Sequence, residues 1–235
     1  MLIEMHAHVI YGVDDGPKDQ EAMIRMLNSA SKNGTERLYC TSHYTLGNNK
    51  YPMETYHKHL EEAREWCDKN APNLKLYSGA EIYVTGEAVS MPFPEKLPTI
   101  QGTDFTLLEF PLHISLRDIV RIIEKFQKHG YRPILAHVER YSALRSAKTI
   151  QKLKDEYDIQ IQVNAQSIFN ENSGFFHKRR IGKLLQMNLI DYVSSDAHNT
   201  TSRPFCLEYA YHWLCSNGYE DVADDLCGDH MKRNG

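Results

Sequence analysis

The chain has 235 residues, 41% of them hydrophobic, so it is long enough to bury a sizeable core without disulfide staples. No stretch approaches the roughly 20 consecutive apolar residues of a membrane-spanning helix, which excludes a helical membrane span. A formal net charge of −4 gives no overall attraction for nucleic acid or anionic lipid, so local charge would have to draw an anionic substrate.

Short apolar runs along the chain predict β-strands, and helical spacing fills the segments between them. The predicted strands are LIEM (2–5), RLYCTS (37–42), LKLYSG (74–79), FTLLEF (105–110), PILAHV (133–138), IQIQVNA (159–165) and LIDYVSS (189–195). The clearest predicted helix covers 115–129, because Ser115 and Asp118 have capping-box spacing and Gly130 follows.

This alternation predicts an α/β fold with a parallel sheet. Seven strand-helix units favour a closed or distorted TIM-like barrel, and we expect one domain over residues 1–235. A doubly wound open sheet is the alternative, although no GxGxxG motif follows an early strand.

Histidine and carboxylate residues lie at six of the seven predicted strand ends, where parallel α/β folds place their functional groups. These residues are ligands of divalent metals, and HxH alternation points two side chains to one side of a strand. The candidate ligands are His6, His8, Asp15, His43, Glu81, Glu109, His137, Asp196 and His198. Nine ligands are enough for two or three ions.

Each of these residues taken alone has an ordinary structural explanation. A single strand-end histidine is more often a capping or core residue, and Asp15 could only shape the turn before Gly16. All nine candidates are nevertheless predicted at the same end of the barrel, its rim, and this shared position favours metal binding. The crowded carboxylates also require compensating cations.

Two arginines follow candidate ligands along the chain and could bind phosphate oxygens. Arg140 stands three residues beyond His137, and Arg203 precedes Pro204, a favoured first helical residue. The alternative is that Arg140 pairs with Glu139, and Arg203 with Glu208.

The motifs HAH, VDDGP, TSH, GAEIY, LLEF, AHVERY and SSDAHN followed by RP resemble, in order, those of the polymerase and histidinol phosphatase (PHP) family. More narrowly, they resemble the CpsB/YwqE-type manganese-dependent protein-tyrosine phosphatases of bacterial capsule and exopolysaccharide operons. The resemblance implies a distorted seven-unit barrel with a trinuclear metal site. Two segments depart from the family pattern: Glu4 replaces its usual aspartate, and GDHMKRNG differs from its usual ending.

Carried over to this sequence, the resemblance implies three ligand groups. They are His6, His8, Glu81 and Asp196; Glu81, Glu109 and His137; and Asp15, His43 and His198. Arg140 and Arg203 would clamp the phosphate. Either Asp14 or Asp15 could fill the loop position, and Asp15 is favoured because Gly16 follows it.

The expected reaction is hydrolysis of a phosphate monoester by a metal-bridging hydroxide, with Asp15 as a possible proton donor to the leaving phenol. Manganese is the expected metal, with iron or zinc as alternatives. By resemblance, the substrate is the phosphotyrosine tail of a bacterial autokinase that regulates polysaccharide assembly. The aromatic residues nearest the rim in sequence, which could receive that tyrosine, are Tyr11, Tyr44, Tyr83 and Phe110.

Two other functions stay open, a small-molecule phosphatase of the histidinol-phosphatase type and a regulatory subunit with a structural metal site. A cysteine-based phosphatase is not expected, because hydrolysis by a metal-bound hydroxide requires no cysteine nucleophile. The cysteines are also scattered without a CxxC pair, and the N-terminus shows no secretory signal. We therefore expect reduced thiols and a cytoplasmic location.

Overall fold

The computed structural model describes residues 1–47, 51–170 and 174–228. The strands are β1 (Leu2–Ala7), β2 (Thr35–Cys40), β3 (His43–Thr45), β4 (Lys75–Ser78), β5 (Glu81–Tyr83), β6 (Phe105–Glu109), β7 (Arg132–Leu135), β8 (Gln160–Asn164) and β9 (Tyr192–Ser194). The α-helices are α1 (Gln20–Lys32), α2 (Met53–Asn70), α3 (Leu116–Lys128), α4 (Ala147–Tyr157), α5 (Ala165–Phe169), α6 (Phe175–Gln186), α7 (Leu207–Ser216) and α8 (Glu220–Leu226). No helix within these ranges has the length and apolar character that crossing a membrane requires.

All strand pairs are parallel and form two sheets, in the orders β1-β2-β4 and β3-β5-β6-β7-β8-β9. The last strand path returns to the first through a bridge between Ala7 and Ala197. Around that bridge His8 N donates to Ala197 O at 2.8 Å, and Asp196 N donates to His6 O at 2.9 Å. The predicted distorted barrel is confirmed, and this closure rules out the open sheet.

Two predicted strands are each split by a bend. The predicted strand 37–42 becomes β2 and β3, separated by residues 41–42, and the predicted strand 74–79 continues past residues 79–80 into β5. A Cβ on Gly79 would lie 3.0 Å from Thr41 Cγ2, so the glycine permits close approach of the two bends. The first halves of these two predicted strands, β2 and β4, therefore belong to the three-stranded sheet, and the second halves, β3 and β5, belong to the six-stranded sheet.

Two other predicted strands are too long. β7 ends at Leu135, because His137 adopts a left-handed backbone with φ of 31° and begins a 3₁₀ turn over Val138–Arg140. The strand predicted at 189–195 is limited to Tyr192–Ser194, and Asp196 is likewise left-handed with φ of 52°. Positive φ is uncommon outside glycine and is often found at functional sites.

The helices cover the outside of the barrel with their apolar faces. In α3 the Ser115 side chain accepts a hydrogen bond from Asp118 N, as the capping motif predicts, and Ile119, Ile122 and Phe126 are buried. A separate buried cluster consists of strand and loop side chains without a helix residue, and it fills the barrel interior. This cluster contains Ile3, Met5, Tyr39, Ile100, Phe105, Leu107, Ile134, Ala136 and Tyr192.

Candidate metal centre

Glu81, the first residue of β5, lies at the centre of the candidate site and is 1% exposed. Its Oε2 atom lies 3.3 Å from His6 Nε2, 3.2 Å from His8 Nε2 and 3.0 Å from His43 Nδ1. Its Oε1 atom lies 2.8 Å from His137 Nε2. One buried carboxylate therefore contacts four imidazoles from three strand paths.

His6 and His8 are fully buried, and alternation along β1 points both rings into the same space. Their Nε2 atoms lie only 3.2 Å apart. Two ring nitrogens whose lone pairs face each other at this distance repel unless a proton or a metal cation binds them. This geometry favours a cation shared by the two histidines.

Asp196 and His198 approach from the end of β9. Asp196 Oδ1 lies 3.4 Å from His6 Nε2 and 3.5 Å from His8 Nε2. Asp196 Oδ1 and His198 Nε2 are buried and have no hydrogen-bond partner among the described residues. Because buried polar atoms almost always have a partner, these two atoms fit the ligands of a cation.

The remaining candidate ligands extend the cluster toward the rim. Asp15 is 59% exposed, and its Oδ1 atom lies 3.2 Å from His198 Nε2 and 3.4 Å from His43 Nε2. Glu109 places its carboxylate oxygens 3.7 Å from His137 Nε2 and 3.6 Å from His43 Nδ1. The structure thus brings all nine predicted ligands together.

The two neighbouring aspartates of the VDDGP turn point to different partners. Asp14 Oδ2 lies 2.8 Å from His8 Nδ1 and accepts a hydrogen bond from His43 N at 3.0 Å. Although burial raises the pKa of Asp14, the bond and charge of His8 lower it well below its usual range. Asp14 therefore orients His8 from behind, while Asp15 faces the ring nitrogens, which supports Asp15 as the ligand.

A chain of side-chain amides on β8 connects three of the candidate ligands. Gln162 Oε1 accepts a hydrogen bond from His137 N at 2.6 Å and lies 3.4 Å from His6 Nδ1. Gln162 Nε2 donates to Asn164 Oδ1, and Asn164 Nδ2 donates to Asp196 Oδ2 at 3.1 Å. Sequence reasoning missed both amides; their signal is alternation of polar residues within an apolar strand.

Glu4 is fully buried and contacts the segment before Asp196. Its Oε2 atom accepts a hydrogen bond from Ser195 N at 2.8 Å, and Ser195 Oγ also bonds to its carboxylate. Burial raises the pKa of Glu4 to about 7. The residue that departs from the family pattern thus holds the β9 end against β1.

Arg203 lies at the rim, with its side chain 40% exposed. Its Nη2 atom lies 2.8 Å from Asp196 Oδ2, and its Nη1 atom lies 3.8 Å from Asp15 Oδ2. Arg140 is exposed after the left-handed His137; burial and the charge of Glu81 raise the pKa of Glu109, and the charge of Arg140 partly opposes that shift. Both guanidinium groups therefore stand beside candidate ligands.

The alternative ion pairs of the arginines do not form within the described ranges. The Glu139 carboxylate instead accepts hydrogen bonds from Asn164 N at 3.0 Å and Ser167 Oγ at 2.9 Å. Glu208 lies 3.7 Å from His212. Arg140, and the N–H groups of Arg203 that do not contact Asp196, are therefore available to an anion at the rim.

The suggested aromatic surface is wrong for Phe110, which is buried at 1% exposure among core residues. Tyr11 is engaged outside the cluster, with its ring stacked on His59 at 3.6 Å and its hydroxyl donating to Glu62. Tyr44 and Tyr83 are partly buried.

The acidic and basic side chains of the cluster shift one another's pKa values. Although burial raises the pKa of Glu81, cationic His6 and hydrogen bonds from other imidazoles lower it well below its usual range. The pKa of His8 is raised well above its usual range because hydrogen bonds to Asp14 and Glu81 outweigh burial. Burial and the charge on His8 lower the pKa of His198 to about 4. Divalent cations bound at the cluster would replace the imidazolium protons as the positive charges that compensate the carboxylates.

Comparison with known proteins gives one consistent family. The family model described as capsular polysaccharide synthesis, CpsB/CapC, matches residues 2–233. The tyrosine-protein phosphatase CpsB of Streptococcus agalactiae is 30% identical over 230 residues, covering 96% of this chain and 94% of that protein. The tyrosine-protein phosphatase CpsB of Streptococcus pneumoniae is 30% identical over 238 residues, covering 99% and 97%.

A solved structure has the same fold over most of its length. It comes from crystal structures of YwqE from Bacillus subtilis and CpsB from Streptococcus pneumoniae, described there as unique metal-dependent tyrosine phosphatases. The TM-score is 0.80 at 26% identity, covering 94% of this chain and 90% of that one.

Proposed function

Because the chain belongs to the CpsB/CapC family of capsular polysaccharide synthesis, we propose that it is a metal-dependent protein-tyrosine phosphatase. One observation carries the proposal. Five histidines and three further carboxylates from separate strand ends converge around Glu81, beside two arginines.

The donor set fits divalent cations, since it consists of imidazole nitrogens and carboxylate oxygens. The proposed ligand groups are His6, His8, Glu81 and Asp196; Glu81, Glu109 and His137; and Asp15, His43 and His198. Ligand atoms of His8 also lie within 4.8 Å of those of the third group, so His8 can bind on either side. We propose three ions, with manganese favoured over iron or zinc. Bound there, they supply Lewis acidity and activate water near neutral pH.

The protein side chains around this centre bind and orient the phosphate ester. Arg203 and Arg140 offer guanidinium groups to the phosphate oxygens, a pairing that favours bidentate hydrogen bonds. Asp15 is exposed at the rim and is assigned to the third ligand group rather than to proton donation, because a carboxylate that binds a metal ion is deprotonated. Because the pKa of a tyrosine phenol is about 10, its phenolate leaves with modest help.

The proposed substrate is a phosphotyrosine in the flexible tail of a bacterial tyrosine autokinase that acts in polysaccharide synthesis. The relatives support this class of substrate, because they are named tyrosine-protein phosphatases of capsular polysaccharide synthesis. A flexible tail reaches a site at the barrel rim more readily than a folded domain does.

The cysteines are free thiols, which supports a cytoplasmic location. Residues 1–235 are proposed to act as one domain, since first and last strands share the site.

The test begins with protein stripped of metal by a chelator and then freed of the chelator. Manganese is expected to restore phosphate release from a phosphotyrosyl peptide but not from histidinol phosphate. Glu81→Gln is expected to abolish release and to reduce bound manganese measured by elemental analysis. The matched control Glu208→Gln, on the exposed face of α7, is expected to leave both unchanged. Release from histidinol phosphate alone would identify a small-molecule phosphatase, and release from neither substrate would favour a regulatory subunit.

A further inference from the structure

A cavity of about 360 Å³ opens directly beside the candidate metal centre. Its walls are α5, the loop before α7 and the first turns of α7, and they include Asp196 and Arg203. Small-molecule sites typically occupy about 300–1,000 Å³, so this volume suits a compact group. The cavity is continuous with the proposed phosphate position because both share the Arg203 guanidinium.

Two aromatic side chains that line the cavity come from different helices and contact each other. Phe169 ends α5 and Tyr209 lies on α7, and their ring centroids are 5.9 Å apart at an angle of 45°. Tyr209 is 61% exposed, the most exposed of the large hydrophobic residues within the described part of the chain. Phe169 is half-buried beside it, and an aromatic pair with one exposed ring at a cavity is typical of a surface that a ligand covers.

The charge pattern of the cavity defines the chemistry of that ligand. Its only charged side chains within the described residues are Asp196 and Arg203, and they are paired with each other at 2.8 Å. Buried Phe205 and Cys206 contribute apolar surface. The cavity therefore combines apolar and aromatic surface with neutral polar side chains, and the Arg203 guanidinium, paired through Nη2 with Asp196, lies at the end next to the metal ligands.

We propose that this cavity receives the phenyl ring of phosphotyrosine, with Phe169 and Tyr209 packing against the ring while the phosphate contacts Arg203. The inference rests on the proposed function and deepens it. It makes Phe169 and Tyr209 specificity-determining residues that favour aryl over alkyl phosphates. This selection acts through binding and is separate from the better leaving group that a phenol provides.

The binding test uses two nonhydrolysable probes, phenylphosphonate and methylphosphonate, titrated calorimetrically into the manganese-loaded protein. Their Kd ratio isolates the ring, because both carry the same phosphonate. Phe169→Ala and Tyr209→Ala are each expected to weaken phenylphosphonate binding about 3- to 10-fold, the range of one aromatic contact, and to leave methylphosphonate unchanged. Tyr211→Ala is the matched control, since Tyr211 lies on the same helix but bonds to Asp224 outside the cavity.

The turnover test compares free phosphotyrosine with phosphoserine and with a phosphotyrosyl peptide. For both alanine variants kcat/KM is expected to fall about 3- to 10-fold for the two phosphotyrosine substrates, by the same aromatic contact, and to stay constant for phosphoserine. An unchanged phenylphosphonate affinity in the variant that combines Phe169→Ala and Tyr209→Ala overturns the inference. A fall in kcat/KM that is confined to the peptide also overturns it, because the cavity would then bind a peptide residue next to the phosphotyrosine. Either result leaves the phosphatase function standing if the wild-type protein hydrolyses phosphotyrosine. Failure of the wild-type protein to do so rejects the function itself.

Discussion

Replacing Tyr141 with phenylalanine tests how the fold supports the candidate metal centre. Tyr141 is fully buried one helical turn after His137, and its hydroxyl accepts a hydrogen bond from Phe110 N at 3.1 Å. The same hydroxyl lies 3.2 Å from His137 Nδ1. Tyr141→Phe therefore removes one oxygen that serves both a backbone amide and a proposed ligand.

The two contacts predict two separate effects. The buried amide of Phe110 is left without its partner, which costs about 1–3 kcal/mol of unfolding free energy. With an ion bound at Nε2, His137 would carry its proton on Nδ1 and donate it to the tyrosine oxygen, which fixes the orientation of the ring. Losing this support is expected to weaken metal affinity about 10- to 100-fold, as for other outer-shell partners.

Urea unfolding of the metal-free protein measures the first effect, and manganese titration measures the second. Tyr131→Phe is the matched control, because the Tyr131 hydroxyl accepts from Leu97 N at 3.0 Å and its ring packs on Phe93 and Phe126. The control is expected to lose stability without losing metal affinity. Wild-type manganese affinity in Tyr141→Phe would refute the supporting role of the hydroxyl.

Three further outcomes follow from other buried groups. Asp14→Asn is expected to weaken manganese binding about 10- to 100-fold in the same titration, because His8 loses a charged partner; an unchanged affinity would contradict that role. Since the pKa of Glu4 is raised to about 7 from an ordinary 4.5, ionising it destabilises the folded state. Urea unfolding without metal measures the unfolding free energy of the wild-type protein minus that of Glu4→Gln. This difference is expected to be constant below pH 4.5 and to fall by about 3 kcal/mol as the pH rises toward 7. A difference that does not change with pH would contradict this. Alkylation of the native protein with iodoacetamide is expected to spare phosphatase activity, since burial raises the thiol pKa of Cys40, Cys67, Cys206 and Cys227. Because Cys206 lines the cavity, the same treatment is applied to Cys206→Ser, and activity lost there with metal retained would indicate a thiol nucleophile.

The strand paths and the proposed ligands were predictable from sequence for physical reasons. Buried parallel strands need short apolar runs, and chemically reactive side chains lie at their carboxyl ends. His6 and His8 were also recognisable as a pair, because period-two alternation fixes their common direction. What the pattern could not show is the bend at residues 41–42 and 79–80, because it depends on contact between distant segments such as Gly79 and Thr41.

The supporting residues were harder to predict. Gln162, Asn164 and Tyr141 are neutral and bond to residues far along the chain, which are His137, Asp196 and Phe110 respectively. Such residues have no characteristic spacing, since tertiary structure alone determines their partners. The cavity at Phe169 and Tyr209 is of the same kind, because α5 and α7 are neighbours only in the folded barrel.

Closure of the barrel and assembly of the candidate site are the same structural event. His6 and His8 come from the first strand and Asp196 from the end of the last, and the backbone bonds that join these strands involve the ligand residues themselves. Ions bound between them would therefore favour the closed barrel, adding stability in proportion to the logarithm of metal concentration over Kd. The same linkage explains why Glu4 is buried at that seam despite its raised pKa. Its bonds to Ser195 fix the strand end from which Asp196 reaches His6.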